Sequence, residues 1–358
     1  MSSFMTKLKE GFASAFTTPS TTVQSTVPKT SASKPKVPKK LYDEIELAKY
    51  TNDFNDKILS TMTVSQHISS PFSIYMLMTL VSLGANTNTR SFIQLFNELV
   101  LTPWRWCPVD YPVQYHDRKT IIDVVDTLQQ IAHRLYHWSS IPENHLELEI
   151  INDFYIAKQF QLKLETDFMH YVSELGDITL VDFADATATI ELINNKVNAK
   201  TRGMITQLID ESDISPDTQL ILVNCFYFNP IWQYQFDKYQ TRDNINFTSL
   251  DNSATQVSMM NQTNTFDYYE DEQFQMVTLP YKHNRRDHAN FVMNVVLPKK
   301  NSTDLTQFNS QSLMAMKKKS KYASVQLSLP RFEQNTELEM VDFFKQLGVT
   351  KIFKEIVL

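Results

Sequence analysis

The stretch T-Q-L-I-L-V-N-C-F-Y-F, residues 218–228, decides the fold of this chain. Nine of its eleven positions are apolar, aromatic or β-branched; the other two are the amides Gln219, near its start, and Asn224, at its centre. A strand that is apolar on both faces needs cover on both, so it belongs in the middle of a sheet with layers on either side. Upstream, L-E-L-E-I-I-N-D-F-Y-I-A (146–157) opens with Leu146, Leu148 and Ile150 alternating with polar residues, which reads as a second strand. I-T-L-V-D-F (178–183) reads as a short third strand. Downstream, Q-M-V-T-L-P-Y, N-F-V-M-N-V-V-L-P and A-S-V-Q-L-S-L-P-R-F supply further strands.

Helical periodicity governs most of the remainder. Phe54, Ile58 and Leu59 mark a first helix, and Ser70 and Pro71 open an almost unbroken apolar run that stops at Gly84. Phe92, Ile93, Leu95, Phe96 and Leu99 mark another helix, and a further one runs from about Ile121 to Trp138. Three prolines make residues 102–120 an irregular loop. Helices follow near 165–176 and over 186–199, the latter with Ile190, Ile193 and Val197 on one face. The last helix is expected to start at Thr336, where T-x-x-E with Glu339 makes a capping box, and to end at Gly348. Helices lead and strands follow, without regular alternation, so the class is α+β, with about eight helices around a large mixed sheet and smaller sheets.

Residues 1–40 have a different character. Segment 17–40 is rich in Ser, Thr, Pro and Lys and holds almost nothing to bury, so 1–40 is expected to be a disordered tail before a domain at 41–358. Within it, Phe4, Leu8, Phe12 and Phe16 recur at helical spacing, a pattern that also suits a short amphipathic docking helix. No apolar run reaches membrane-spanning length and the N-terminus lacks the apolar region of a signal peptide, which favours an intracellular setting over an extracellular one. On that expectation the sequons at Asn246, Asn261 and Asn301 go unmodified. The net charge of -6 calls for neither nucleic acid nor a membrane surface as partner.

Motifs for catalysis are missing from the sequence. There is no nucleophile elbow, and five glycines in the whole chain leave little for phosphate-cradling loops. His133 and His137 stand four apart on a helix, but no third ligand accompanies them, so no metal or cofactor is expected. Cys107 and Cys225 make no disulfide framework. The basic run formed by Lys317, Lys318, Lys319 and Lys321 suits either a charged helix end or a contact for a heparin-like polyanion.

Taken in order, S-P-F-S-I-Y-M-L-M-T-L-V-S-L-G-A-N-T-N-T, I-N-N-K-V-N-A-K-T-R-G-M-I-T-Q-L-I, L-I-L-V-N-C-F-Y-F-N-P-I-W, V-S-M-M, L-P-Y, V-V-L-P, V-Q-L-S-L-P-R-F and L-G-V-T-K-I-F resemble the serpin family over about residues 41–353. Gly84, Gly203 and Gly348 fall where that resemblance puts helix ends and turns. It implies that Ser70 and Ser73 lie under the middle of the main sheet, in the region called the shutter, facing Asn224, and that Trp232 caps the upper end of the central strand. These residues are expected to control how the sheet opens rather than to react.

The sequence departs from the family after L-G-V-T-K-I-F. An inhibitory serpin continues with a strand beside the central one, an exposed reactive loop that inserts as a new strand once cleaved, and final apolar strands; none of these is found before Leu358. Pro230 also stands where a glycine is usual before the Trp. The expectation is a non-enzymatic, non-inhibitory serpin-like protein, a viral relative being one setting for it, whose main sheet keeps an open edge and recruits a protein partner or a second copy. The alternative is a serine or cysteine protease inhibitor working through another segment, such as 103–120, or as part of a longer product.

Overall fold

The computed structural model describes residues 4–9, 44–61, 69–84, 118–163, 166–249, 252–283, 291–300, 305, 308–332 and 336–350. Among them are seven α-helices and ten strands, in the order β1 (Phe4–Lys9), α1 (Glu44–Thr61), α2 (Pro71–Gly84), α3 (Arg118–Ser139), β2 (Leu146–Ala157), α4 (Thr166–Leu175), β3 (Asp177–Val181), α5 (Ala186–Lys200), β4 (Leu220–Pro230), β5 (Arg242–Thr248), β6 (Ala254–Glu270), β7 (Phe274–Pro280), β8 (Val292–Pro298), α6 (Ser310–Lys319), β9 (Lys321–Pro330), β10 (Thr336–Glu339) and α7 (Met340–Gln346).

The first sheet has the order β10-β1-β4-β2-β3 and is mixed. β4 is central, as its two apolar faces require. It runs antiparallel to β2 in unbroken register from Leu146↔Pro230 to Ile156↔Leu220. Parity explains what each face carries. Even-numbered residues of both strands (Leu148, Ile150, Phe154, Leu222) join the large core formed with α1, α2, α3, α4 and α7. Odd-numbered ones (Ile151, Tyr155, Ile221, Val223, Cys225) pack with Ile193 and Val197 of α5 on the other side. The sheet is thus a middle layer between two apolar covers.

α2 is buried from Ser73 to Gly84. Its hydroxyls are kept from being orphaned by bonding back along the helix, Thr79 Oγ1 to the Tyr75 carbonyl at 2.8 Å and Ser82 Oγ to the Met78 carbonyl at 2.9 Å. Pro71 at its first turn sacrifices no helical hydrogen bond. α1 buries Leu47, Tyr50, Phe54 and Ile58 at helical spacing. Phe54 meets Phe343 and Phe344 of α7 at ring-centroid distances of 5.8 and 6.3 Å, which fastens the two ends of the described domain together. α7 closes at Gly348, whose φ of 92° is a left-handed value that glycine adopts without strain.

The second sheet runs β5-β6-β7-β8, with β9 also pairing β6. The 17-residue β6 is its spine, and Phe266, Val277, Leu279, Leu327 and Leu329 form its small core.

Three expectations change. Residues 4–9 form a strand, where a disordered tail or an amphipathic helix was expected; residues 10–40 lie outside the described residues. β1 takes up the backbone groups of β4 over Met5↔Cys225 to Lys9↔Ile221 and runs parallel to β10 over Phe4↔Thr336 to Lys7↔Glu339. The expected open edge beside the central strand is therefore paired, because unpaired backbone next to a buried strand outweighs local helical spacing. Finally, the last helix starts at Met340, not Thr336: the capping-box residues Thr336 and Glu339 are drawn into β10 by pairing with β1. The helix expected around 92–99, Cys107 and the 102–117 part of the loop lie outside the described residues.

Candidate functional site

A polar chain runs through the middle of the first sheet, where nearly everything else is apolar. Asn224 of β4 is fully buried. Its Oδ1 accepts from Ser73 Oγ at 2.8 Å, and its Nδ2 lies 2.6 Å from Asn152 Oδ1, 3.2 Å from the Ser73 carbonyl and 3.3 Å from the Ile151 carbonyl. Asn152 Nδ2 in turn reaches Met76 Sδ at 3.1 Å and the Leu175 carbonyl at 3.3 Å. Ser70 enters through its backbone, its carbonyl accepting from the Ile74 amide at 3.1 Å and sitting 3.4 Å from Ser73 Oγ. Two amides thus bolt β4 and β2 to α2 and to the end of α4, with each polar group satisfied away from water.

Of the three side chains expected here, the structure brings Ser73 and Asn224 together, and Ser70 contributes a carbonyl beside them. Asn152 was not foreseen. The signal was available, since Asn152 shares parity with Leu148, Ile150 and Phe154 and is a lone amide on an otherwise apolar face. Gly176 was also missed. It stands at the α4–β3 junction, where a Cβ would fall 1.8 Å from the Asn152 carbonyl oxygen, so only glycine lets β3 come this close to β2.

The opposite face carries charge. Lys196 of α5 reaches Asp153 and Asp177 at 2.7 Å each, Lys200 reaches Glu149 at 3.6 Å, and Arg202 pairs with Glu147. Burial pushes Asp153 above the usual carboxylate range, with the Lys196 ammonium pulling partly back. Burial acts to lower the Lys196 pKa, but its two carboxylates outweigh this and carry it upward. Glu147 is held below its ordinary value, chiefly by the hydrogen bond from Asn229, with Tyr227 and Arg202 adding to it. Burial pushes the Cys225 thiol up to about 12, so it is protonated and inert at neutral pH.

Trp232 sits just past the end of β4. It bridges to Tyr281 and stacks on that ring, with centroids 4.4 Å apart and planes at 15°. The Gln233 amide donates to the Pro280 carbonyl and the Lys282 amide to the Ile231 carbonyl, so Trp232 marks the joint between the two sheets. Lys317, Lys318 and Lys319 form the exposed last turn of α6, where cations suit the helix dipole, and Lys321 begins β9. His133 lies on exposed helix surface, 3.8 Å from Glu174, and among the described residues no three side chains gather to hold a metal. No helix among them is long and apolar enough to cross a membrane.

Comparison with known proteins matches this architecture. The family model described as Serpin (serine protease inhibitor) matches residues 49–357. An uncharacterized serpin-like protein of Acanthamoeba polyphaga mimivirus is 24% identical over 326 residues, covering 87% of this chain and 70% of the relative. A serpin-like protein of Methanosarcina mazei is 29% identical over 292 residues, covering 80% of this chain and 62% of the relative. Plasminogen activator inhibitor 1 of Bos taurus is 29% identical over 234 residues, 62% of this chain and 56% of that protein. Apart from the mimivirus protein, the chain spans less than two thirds of these curated relatives. Among solved structures, emu ovalbumin superposes with a TM-score of 0.71 at 20% identity, covering 85% of this chain and 78% of that one. Reactive-loop-cleaved human thyroxine-binding globulin gives 0.70 at 22%, covering 86% and 85%. The central strand, the sheet joint and the helix across the sheet fall into place together, and the chain belongs to the serpin family.

Proposed function

We propose that this chain is a non-enzymatic serpin that, in the form described, does not trap proteases and acts through protein–protein contacts. The observation that carries this is the seat of β1, hydrogen-bonded to β4 on one side and β10 on the other. Trapping in this family needs a cleaved loop to enter beside the central strand. Here that side of β4 is already paired, so an incoming strand has first to evict β1. The chain of Ser73, Asn224 and Asn152, with Ser70 at its edge and Trp232 at the joint, governs how firmly the sheet holds together. The test is incubation with a panel of serine and cysteine proteases, followed by denaturing electrophoresis. We expect no complex that survives SDS; one that does overturns the proposal.

The second reading is protease inhibition, favoured by the intact buried polar chain and by the similarity to plasminogen activator inhibitor 1. It gains if a variant lacking residues 2–10 forms an SDS-resistant complex that the full chain does not, since removing β1 vacates its seat.

A further inference from the structure

The run D-Y-Y-E-D-E, residues 267–272, sets two tyrosines among four carboxylates at the end of β6 and the turn into β7. Neighbouring side chains of a strand point to opposite faces. Tyr268 packs with the cluster around Phe266 and Leu279, and Tyr269 with the one that holds Leu313 and Met316 of α6. Both rings are half-buried, yet both hydroxyls end in exposed bonds, Tyr268 Oη to Glu270 at 2.9 Å and Tyr269 Oη to Asp271 at 2.7 Å. Tyr269 also stands at a free strand edge. β9 pairs one side of β6 only as far as Tyr268, opposite Lys321, while β7 pairs the other side through Glu270. Past Tyr268, no described strand lies against the first side. Asp271 then turns the chain, its side chain accepting from the Gln273 and Phe274 amides at 2.8 Å each. Just ahead of Lys321 come the exposed Lys317, Lys318 and Lys319, which end α6. The Cα of Lys319 therefore lies no more than about 12 Å from that of Tyr268.

We propose that Tyr269 is a phosphorylation site for a tyrosine kinase that selects acidic flanks, and that the lysines ending α6 receive the phosphate. The four carboxylates attract an enzyme whose substrate groove is basic. The open edge lets that enzyme hold Tyr269 and Glu270 as an added strand without unfolding β6. The phenolic oxygen attacks the γ-phosphorus of ATP, the bond from that phosphorus to ADP breaks, and the phenolic proton passes to the kinase's catalytic carboxylate. The product carries between one and two negative charges more than the phenol, and so cannot keep the place beside Asp271 that the hydroxyl holds. Lys317, Lys318 and Lys319 are the outlet, because α6 covers the Tyr269 face. Lys299 is already held by Glu270. Tyr268 lacks this outlet, since it lies on the other face and its acceptor Glu270 is the one that Lys299 holds. The mark thus ties the β6–β7 turn to α6 and neutralises the lysine run. None of this depends on whether the chain traps proteases.

The full folded chain is incubated with ATP and a tyrosine kinase of acidic preference, and the product is mapped by mass. We expect one phosphoryl group on Tyr269, abolished by Tyr269→Phe and retained by Tyr268→Phe. No incorporation, or incorporation chiefly at any other residue, overturns the proposal. The acceptor is read by phosphorus NMR across pH. A freely solvated phosphotyrosine takes up its second proton at about pH 6. Replacing Lys317, Lys318 and Lys319 together by Gln should raise the proton affinity of the Tyr269 phosphate about threefold, since the lysines favour its doubly charged form. A titration that the triple variant leaves unchanged overturns the lysine contact.

Discussion

The two sheets of this serpin are built to opposite plans. The first is covered on both faces, and the polar residues at its centre are buried and bonded: Asn224, Asn152 and Ser73 on one face, Asp153 held by Lys196 on the other. The second has two small clusters, one on each face of β7, around Val277 and Leu279 and around Phe274 and Met276, and leaves much of β5 and β6 in partial contact with water. Its polar contacts include Thr278 Oγ1 to Asn294 Oδ1 at 2.8 Å, a part-buried bond between a buried threonine and a half-buried asparagine on the Met276 face. A polar group is cheap where water can replace a lost partner and costly where it cannot. The position of a hydrogen bond within the two plans, more than its length, sets what it contributes.

The strongest attempt to break this contrast is Asn224→Ala set against Thr278→Val. The first removes the shorter partner of the Ser73 hydroxyl and the partner of the Asn152 side-chain oxygen in a dry layer and should cost about 2–6 kcal/mol, at 1–3 for each group. The second loses one part-buried bond to the half-buried Asn294 and should cost about 0.5–1.5 kcal/mol. Urea unfolding of both variants measures the difference, and equal losses would refute it. Next comes Gly176→Ala. The new methyl meets the Asn152 carbonyl, so β3 has to move away from β2, at a cost of about 1–3 kcal/mol.

The smallest effect is electrostatic. The folded-state pKa of Glu147 is depressed, so the stability it contributes is present above about pH 4.5 and lost as pH falls through the depressed value. Glu147→Gln should flatten that part of an acid unfolding curve while leaving the neutral-pH midpoint nearly unchanged. Because Glu147 is partly exposed, the change should also shrink in high salt. A Glu147→Gln curve as steep as the parent's below pH 4.5 would assign the acid sensitivity elsewhere.

What could be read beforehand followed from how local each cause is. β4 announces itself because both of its faces are apolar, and α5 because Ile193 and Val197 repeat at helical spacing. β1 does not, since Phe4, Leu8, Phe12 and Phe16 satisfy a helix better than a strand, and only the unpaired backbone of β4, more than two hundred residues away, says otherwise. Thr336 and Glu339 repeat the lesson, a sound capping box overruled by the same strand. Ser73 and Asn224 were legible through family resemblance. Asn152 and Gly176 carry no motif, and their roles appear only when β2, β3 and α4 are brought within contact distance. The polar composition of β6, T-Q-V-S-M-M-N-Q-T-N-T, hides a long strand because one flank of it is never buried.

The ionic ties of α5 have a mechanical consequence. Lys196, Lys200 and Arg202 anchor it to Glu147, Glu149, Asp153 and Asp177, all on β2 and β3, whereas β4 offers it Ile221, Val223 and Cys225 alone. The helix rides as cargo on one half of the platform and merely rests, greased, on the other. Widening at the β4–β1 seam slides oil over oil and severs no charge pair of that helix, so raising ionic strength loosens the cargo without easing the seam.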